Sequence, residues 1–537
     1  MTGNFSGSVS LSPIVLDILH QRGIRDYKKV CEFLKPDISC LSDPFSITQM
    51  RRACEIIEKT IHEKKGIFLY ADGDVDGISG VAIFSRVLES MGVHFGIKLT
   101  HRLEEYEIEP TFIDRIKHLG YNLLVTVDTG TTSVKLIEYC EKSKFHLIIV
   151  DHHRGQTRDD LKYVTIVNPS LDRGDGEFDF LTASGLVLKL VQTFKEMFPF
   201  FPEEIFAACI ELAAIGTLGD YGFLIGDNRV IVKMGLEFLE NTRIPGIEAF
   251  RKYFYVPKKA NDIEPVTHYL NPKLNTPGRF GRPELAFKIL TAAVNENIHD
   301  IFEEIDLLEK EKRNVLRKMS NTITMTNFDS PPFLIFEGIP VSFSGTFAAR
   351  VSEKFKLPSL VAIKKKDIIQ GSARGFDRAD LYKFFENYRD IFISFGGHRN
   401  AVGFKMKDHY LKDLKDTWKK LKIHDTTAEC LSQPMTVDLD RLTVPVMEEL
   451  QLLKPFGPGN QPVIFKSFPV ECLRITRYEA GRVVSWIRQG SKMFEARFPK
   501  GFRMPSRLLS ISYCPVLKKS GNLYLIWLDI KNYSETF

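Results

Sequence analysis

Three carboxylates at alternate positions, Asp72, Asp74 and Asp76 in the stretch YADGDVDG, directly follow the apolar run Gly66-Ile67-Phe68-Leu69. A strand that leaves a core and ends in three acids gathers negative charge on one small loop, and such repulsion calls for a cation. Two later apolar runs repeat the design. Leu123-Leu124-Val125-Thr126-Val127 stops at Asp128, and Leu147-Ile148-Ile149-Val150 stops at Asp151-His152-His153. In an open parallel sheet, ligands collect beyond the carboxyl ends of the strands, so these acidic ends are expected to converge on one metal site.

The rest of the chain is read outward from that loop. Strands are expected at 67–71, 93–99, 123–127, 146–150 and 163–167, with helical patterns such as Gly80 to Met91 and Val134 to Glu141 between them. That alternation signals a doubly wound parallel α/β sheet. Residues 183–218 read as helical and deliver a fourth acid, Asp220, in GTLGDY, while Asn271 to Gly281 reads as a Pro- and Gly-rich loop carrying Arg279. A long charged helix from about Ile298 to Met319 is expected to join this domain to a second α/β lobe. After Pro455-Phe456-Gly457-Pro458-Gly459-Asn460, five or six short strand-like runs separated by turn residues point to a small OB-like β-barrel. The expected plan is a helical segment at 1–65, a catalytic α/β domain at 66–295, a connecting helix at 296–325, a second α/β domain at 326–425 and the barrel at 426–537.

A chain of 537 residues is too long for one ordinary core, which agrees with several domains. The eight cysteines contain no CxxC pair, so neither a zinc ribbon nor a disulfide framework is suggested, and a reducing cytoplasm is the expected setting. No apolar run approaches bilayer length, so no membrane partner is expected. The net charge of +5 is weak over the whole chain, but Glu471 to Phe537 holds twelve Lys or Arg against five acids. That excess in one lobe suits a polyanionic partner.

Asp and neutral His without nearby Cys favour Mn²⁺ or Mg²⁺ over Zn²⁺. Five or six ligands exceed what one ion would use, and two ions about 3.5 to 4 Å apart would clamp a phosphate and generate hydroxide for in-line attack. Hydrolysis of a phosphoester is the chemistry such a site favours. An aspartate at a strand end is often only the N-cap of the next helix, but three such clusters with His-His make that reading insufficient for the set. Arg102, Arg279, Arg350, Arg374 and His398 stand beside loops or helix starts as candidate phosphate binders, and GSAR at 371–374 and GGH at 396–398 would let backbone N–H groups approach a phosphate chain. In the last lobe Trp486, Phe494, Tyr513, Tyr524 and Trp527 alternate with basic residues, as stacking platforms would, although a barrel so small needs most of them for its core.

The pieces DGDVDG, VTVDTG, VDHH and GTLGD, in this order and spacing, resemble the DHH phosphoesterase superfamily, and GGHRNAVGF resembles its associated substrate-binding domain. LHQRGI, EFLKP, LSDPF, NRVIVKMGL, LNPKLNTPGRFG, QGSARG and KPFGPGN extend the likeness over nearly the whole chain to the RecJ family of single-strand-specific 5′ to 3′ exonucleases. The resemblance implies Asp74, Asp76, Asp128, His152 and Asp220 as ligands of two Mn²⁺ or Mg²⁺ ions, Asp128 as the bridge and Asp72 as ligand or support. It implies that His153 touches the scissile phosphate and that Asp151 orients His152. Arg279, Arg350, Ser372, Arg374 and His398 would hold the strand, Arg102 would bind a 5′-phosphate, and the barrel would guide the incoming single-stranded DNA.

A helicase and a single-strand-binding protein are partners implied in the same way, and a monomer suffices. The chain departs from the family pattern in having Ala71-Asp72-Gly73-Asp74 for Gly-Asp-Tyr-Asp, Glu105-Tyr106-Glu107 for Gly-Tyr-Gly after Arg102, and Arg154 after the histidines. Two other readings use the same residues: a phosphodiesterase for short oligoribonucleotides or cyclic dinucleotides, and a scaffold that binds single strands without cutting them. The N-terminal segment and barrel argue against the first, the complete Asp and His set against the second.

Overall fold

The computed structural model describes residues 11–535 apart from 102–107, 156, 159, 172–175, 177, 198–200, 260, 295, 322–329, 377–378, 424–433, 480, 505–507 and 521–522. The chain divides into two compact units, one formed by Leu41–Thr427 and the other by the described residues through Cys40 together with those after Ala428. Among the described residues no helix is long and apolar enough to cross a membrane.

The larger unit is built on a five-stranded parallel sheet of β1 (Gly66–Ala71), β2 (Phe95–Leu99), β3 (Tyr121–Val127), β4 (His146–Val150) and β5 (Val164–Val167), in the order β2-β1-β3-β4-β5. β1 is buried along its whole length, as a strand covered on both faces must be. The helices Thr111–His118 and Val134–Ser143 cover one face, packing Phe112, Ile113, Ile116, Leu136 and Ile137 onto Phe68, Leu124, Leu147 and Ile149. On the other face the helix Val75–Ser90 comes so near the sheet at Gly80 that a Cβ there would stand 2.6 Å from Val127 Cγ1. The sheet is therefore doubly wound, as the alternating pattern requires.

Where a Pro- and Gly-rich loop was expected, residues Asn271–Arg279 form a helix, entered through a π-turn over Pro265–Leu270. Pro272 falls in the first turn, where a missing N–H costs little, whereas Pro277 lies inside the helix and leaves the Lys273 carbonyl without its usual i+4 donor. The helix His299–Asn321 then runs alongside it, with Phe302, Ile305, Leu316 and Met319 buried. Its buried Glu309 accepts hydrogen bonds from Thr276 Oγ1 and, at 2.6 Å, from Lys312 Nζ, which satisfies a carboxylate on an otherwise apolar face. The second lobe of this unit is a mixed sheet of β6 (Phe333–Glu337), β7 (Ser359–Lys365), β8 (Ile368–Arg374), β9 (Phe392–His398) and β10 (Ala401–Lys407), ordered β6-β7-β8-β10-β9.

The other unit holds β11 (Met435–Thr436), β12 (Phe465–Lys466), β13 (Glu471–Glu479), β14 (Arg482–Gln489), β15 (Lys492–Arg497), β16 (Leu509–Ser520) and β17 (Leu523–Glu535). β13, β14 and β15 form an antiparallel meander, β15 pairs in parallel with β17, and β17 returns antiparallel to β16. A bridge between Val470 and Leu509 joins the start of β13 to the start of β16, which closes the five-stranded barrel of an OB-type fold. Tyr513 and Phe494 lie in its core, whereas Tyr524 is exposed and Trp527 carries Arg477 at 4.9 Å and Lys518 at 3.6 Å over its ring.

The segment 1–65 does not behave as one helical piece. Ile14, Val15, Ile18, Leu19, Val30 and Leu34, from the helices Pro13–Gln21 and Tyr27–Leu34, share a core with Met447, Leu450, Val483, Ile487 and Leu528 of the barrel unit. The helix Met50–His62 belongs instead to the larger unit, where Arg52 Nη2 donates to the carbonyls of Leu161 and Lys162.

Candidate metal centre

The acids are aligned by sheet register. Asp72, Asp128 and Asp151 each stand one residue past the end of β1, β3 and β4, and each still donates its backbone N–H to the last carbonyl of the neighbouring strand: Val127 at 3.3 Å, Val150 at 3.0 Å and Val167 at 3.1 Å. Adjacent strands lie about 4.8 Å apart, so three carboxylates follow one another along one sheet edge. The strand order reverses between β1 and β3, which places Asp72 and Asp128 on either side of the crevice that such a reversal opens. Asp128 has a φ of 60°, a left-handed conformation that Asp tolerates better than most residues.

The other carboxylates come from helix ends. Asp74 caps the helix Val75–Ser90, its Oδ1 accepting from Asp76 N at 3.0 Å and Gly77 N at 3.3 Å, so the capping role does apply to this residue. Asp76, in the first turn, is 1% exposed; its Oδ2 accepts from Ala183 N at 2.8 Å, and its Oδ1 from Ser184 N at 3.1 Å and Ser184 Oγ at 2.5 Å. Ser184 was not singled out in the sequence. Its signal was the Thr182-Ala183-Ser184 opening of a helix, a place where N–H groups lack partners within the helix. Asp72 Oδ1 accepts from Gly73 N and Thr100 Oγ1. A Cβ at Gly73 would lie 1.8 Å from the Thr100 carbonyl oxygen, so the glycine that replaces the family's tyrosine is required by this backbone.

Asp151 orients His153 rather than His152, which corrects the expectation. His153 Nδ1 donates to Asp151 Oδ1 at 2.7 Å, and the same oxygen accepts from the backbone N–H groups of His152 and His153. The two imidazole rings lie 4.8 Å apart, and it is His153 Nδ1 that reaches back to Asp151. Thr131 N holds Asp151 Oδ2, and Asn168 Nδ2 ties Thr131 Oγ1 to the His153 carbonyl, so residues absent from the motif fix its geometry. His152 faces the acids, its Nε2 standing 3.2 Å from Asp128 Oδ1 and 3.7 Å from Asp220 Oδ2.

Burial and then the neighbouring Asp74, Asp76, Asp72 and Asp220 hold the Asp128 carboxyl well above its ordinary pKa. Burial is also the main reason that Asp76 is pushed up to about 6. Burial opposes the charge on His153, but Asp151 outweighs it and pushes the imidazole up to about 9. Burial likewise works against the Asp151 carboxylate, and His153 overrides it, so its pKa falls below the usual range.

Among the described residues, three sets of donor atoms at this centre each lie within 4.8 Å of one another: Asp72, Asp74 and Asp128; Asp128, His152 and His153; Asp76, His152 and Asp220. Asp128 and His152 each belong to two sets, the pattern expected where two ions share ligands. Asp128 Oδ1 is buried and accepts no well-aligned hydrogen bond, the His152 Nε2 at 3.2 Å included, a state that a bound cation would relieve. Carboxylate oxygen and imidazole nitrogen suit Mn²⁺ or Mg²⁺. The residues present therefore fit a divalent metal pair.

Beside the acids lies a cradle for an anion. Arg279 Nη1 donates to the Ser342 carbonyl at 2.6 Å, Ser344 Oγ and Ser372 Oγ are 3.0 Å apart, and a Cβ on Gly345 would meet Arg374 Nη2 at 2.6 Å. Arg279, Ser372 and Arg374 thus gather at the first turn of the helix Ser344–Phe355, where N–H groups and the helix dipole favour an anion. Gly278, preceding Arg279, abuts the Gly73 carbonyl between Asp72 and Asp74. Arg350 is exposed farther along the same helix. His398 ends β9 opposite Ala401, its side chain lying outside the described residues, as Arg102 does entirely.

Residues 66–217 match the family model "DHH family, N-terminal domain". The chain is 27% identical over 463 residues to the single-stranded-DNA-specific exonuclease RecJ of Bacillus subtilis, covering 84% of this chain and 58% of that protein. It is 26% identical to the RecJ of Thermus thermophilus, covering 82% of this chain and 66% of that protein. The chain thus spans less than two thirds of the length of either relative. The crystal structure of Thermus thermophilus RecJ in complex with Mn²⁺ superposes with a TM-score of 0.78 at 19% identity, over 98% of this chain and 79% of that one. Residues 66–217 therefore carry a DHH-family domain, and over more than four fifths of its length the chain is similar to RecJ proteins.

Proposed function

We propose that the chain is a divalent-metal-dependent exonuclease that degrades single-stranded DNA from its 5′ end to 5′-mononucleotides. The observation that carries this reading is the set of overlapping donor triads sharing Asp128 and His152, with the Arg279, Ser372 and Arg374 cradle beside it. When bound, Mn²⁺ or Mg²⁺ supplies the Lewis acidity that activates water and neutralises charge on the phosphate.

The chain's own residues do the rest. Asp72, Asp74, Asp76, Asp128, His152 and Asp220 fix the donors, with Asp128 as the shared one. His153 Nδ1 is committed to Asp151, so contact with a phosphate oxygen falls to Nε2, and the imidazolium favoured there complements the charge of that oxygen. The cradle receives a phosphate of the strand end and so sets which bond meets the acids. Residues 66–295 serve as catalytic domain, 296–325 as connector, 326–425 as strand-holding domain and 426–537 as guiding barrel; a helicase and a single-strand-binding protein are the partners such an activity uses in recombination and repair.

The test is digestion of a 3′-labelled single strand, its duplex and a dinucleotide with Mn²⁺, by wild type and Asp128→Ala. Stepwise shortening of the single strand alone, lost in the variant, is the expected result. Cleavage confined to the dinucleotide would overturn it.

A further inference from the structure

A segment that delivers one metal-facing acid and a segment that holds another by hydrogen bonds both carry aromatic side chains that the proposed chemistry does not use. Asp220 is followed by Tyr221 and, after the buried Gly222, by Phe223. On the other segment, Phe180 lies just before the Thr182-Ala183-Ser184 turn that holds Asp76. Tyr221 is 72% exposed, Phe223 48% and Phe180 43%. The rings of Phe180 and Phe223 are 5.4 Å apart and tilted by 49°.

The two segments are fastened to each other. Asn228 Nδ2 donates to the Phe180 carbonyl, Thr182 Oγ1 and Thr217 Oγ1 are 3.1 Å apart, and Gly222 N donates to the Thr217 carbonyl at 2.9 Å. A Cβ on Gly222 would meet Thr182 Cγ2 at 2.8 Å and Thr217 Cγ2 at 2.9 Å, so the chain must have glycine there to bring the segments together. Tyr221 itself has a φ of 55°, a region where a bulky aromatic is strained and Gly or Asn would be at ease. Single exposed apolar residues need no explanation, but here Phe180 and Phe223 stand ring to ring, with Tyr221 two residues before Phe223 and directly after Asp220. A flat aromatic partner is what they suit.

We propose that Phe180, Tyr221 and Phe223 form a stacking platform for a nucleobase of the strand whose phosphate sits at the metal centre. The assignment rests on the proposed strand hydrolysis and adds how the site grips a base: by its face, which every base possesses, so without sequence preference. Asp220 shares its backbone segment with Tyr221 and Phe223, and the segment of Phe180 holds Asp76 through Ala183 and Ser184, so a stacked base is registered against the metal ligands. A strand lacking that base should be held about tenfold less tightly.

The test uses the full chain, as wild type and as Phe180→Leu/Phe223→Leu, which keeps apolar bulk and removes the rings. A single strand carrying one abasic residue, walked through successive positions from the 5′ end, is the first probe. Wild type is expected to pause with KM raised about tenfold when the abasic residue reaches one position. The double variant should show that higher KM on the intact strand and no pause. A second probe is a single strand with 2-aminopurine at the same position, bound to Asp128→Ala, whose fluorescence falls on stacking and should not fall in the triple variant. An equal Mn²⁺-induced rise in Tm for wild type and double variant establishes that the metal site is intact. An abasic pause unchanged in the variant, or equal quenching with and without the rings, overturns the platform. Ring-dependent quenching without strand cleavage by wild type overturns the hydrolytic reading and leaves the platform standing.

Discussion

Asp128 and His153 set how the metal-free site responds to protons. Asp76 is pushed up to about 6 by burial and Asp128 is held higher than an ordinary carboxyl, so the folded chain keeps protons that an unfolded one releases near pH 4. The stability that these protonated carboxyls contribute to the metal-free protein is whole below about pH 4 and is lost for Asp76 as pH rises through about 6. His153, pushed up to about 9 against its burial, adds stability that is whole below about pH 6.5 and is lost as pH climbs through 9, the same direction. Asp151, shifted down, is ionised in both states over this range and adds no slope. Metal ions replace the missing positive charge, so Tm with EDTA should drop between about pH 5 and pH 9, and the rise produced by Mn²⁺ should be larger at the upper end. A flat EDTA profile in thermal melts would contradict this. Asp151→Asn tests the other half of the site. It leaves the metal donors in place but removes the charge that holds His153, so kcat is expected to fall roughly 10- to 100-fold with Mn²⁺ affinity little changed, as read from steady-state kinetics beside a metal titration.

At the level of elements, the contact of the helix Val75–Ser90 with β3 decides whether Asp76 and Asp128 meet. Gly80 allows that approach, and Gly80→Val should cost about 1 to 3 kcal/mol through overpacking against Val127. Activity should fall further than the unfolded fraction explains, because the two carboxylates are pushed apart; denaturant unfolding and Mn²⁺-dependent digestion on the same preparation separate the effects. The elements that carry the acids were legible in the sequence because a buried parallel strand reads as an apolar run, and an Asp that ends it stands out. Asp72, Asp128 and Asp151 were found in that way. The partner of Asp151 was not, since choosing between adjacent histidines depends on where the chain turns after β4. Ser184, Thr131 and Asn168 were missed because single hydroxyls and amides acquire a role only once folding brings them to a carboxylate. The helix Asn271–Arg279 was misread from Pro272 and Pro277, which read as loop residues although the helix contains both.

For the whole molecule, the least legible feature was which core the first residues serve. The apolar spacing of Ile14, Val15, Ile18 and Leu19 declares an amphipathic helix but names no partner, and the partner stands more than four hundred residues later in the chain. A closed small barrel has little interior of its own, and the two N-terminal helices enlarge its core with side chains that are almost fully buried. Ser12 N reinforces the join by donating to Glu449 Oε2 at 2.7 Å. Leu19, with no exposed surface, is the residue to probe. Leu19→Ala should cost the barrel unit about 2 to 5 kcal/mol, and the loss should appear as faster amide hydrogen exchange in β13 to β17 although the substitution lies at the other end of the sequence. Amides of β1 to β5 should keep their protection, and Mn²⁺ should raise the protection of those strands by the same amount in variant and wild type. Exchange that quickens in β1 to β5 while β13 to β17 stay protected would mean that the N-terminal helices stabilise the catalytic sheet instead, and would overturn the shared core.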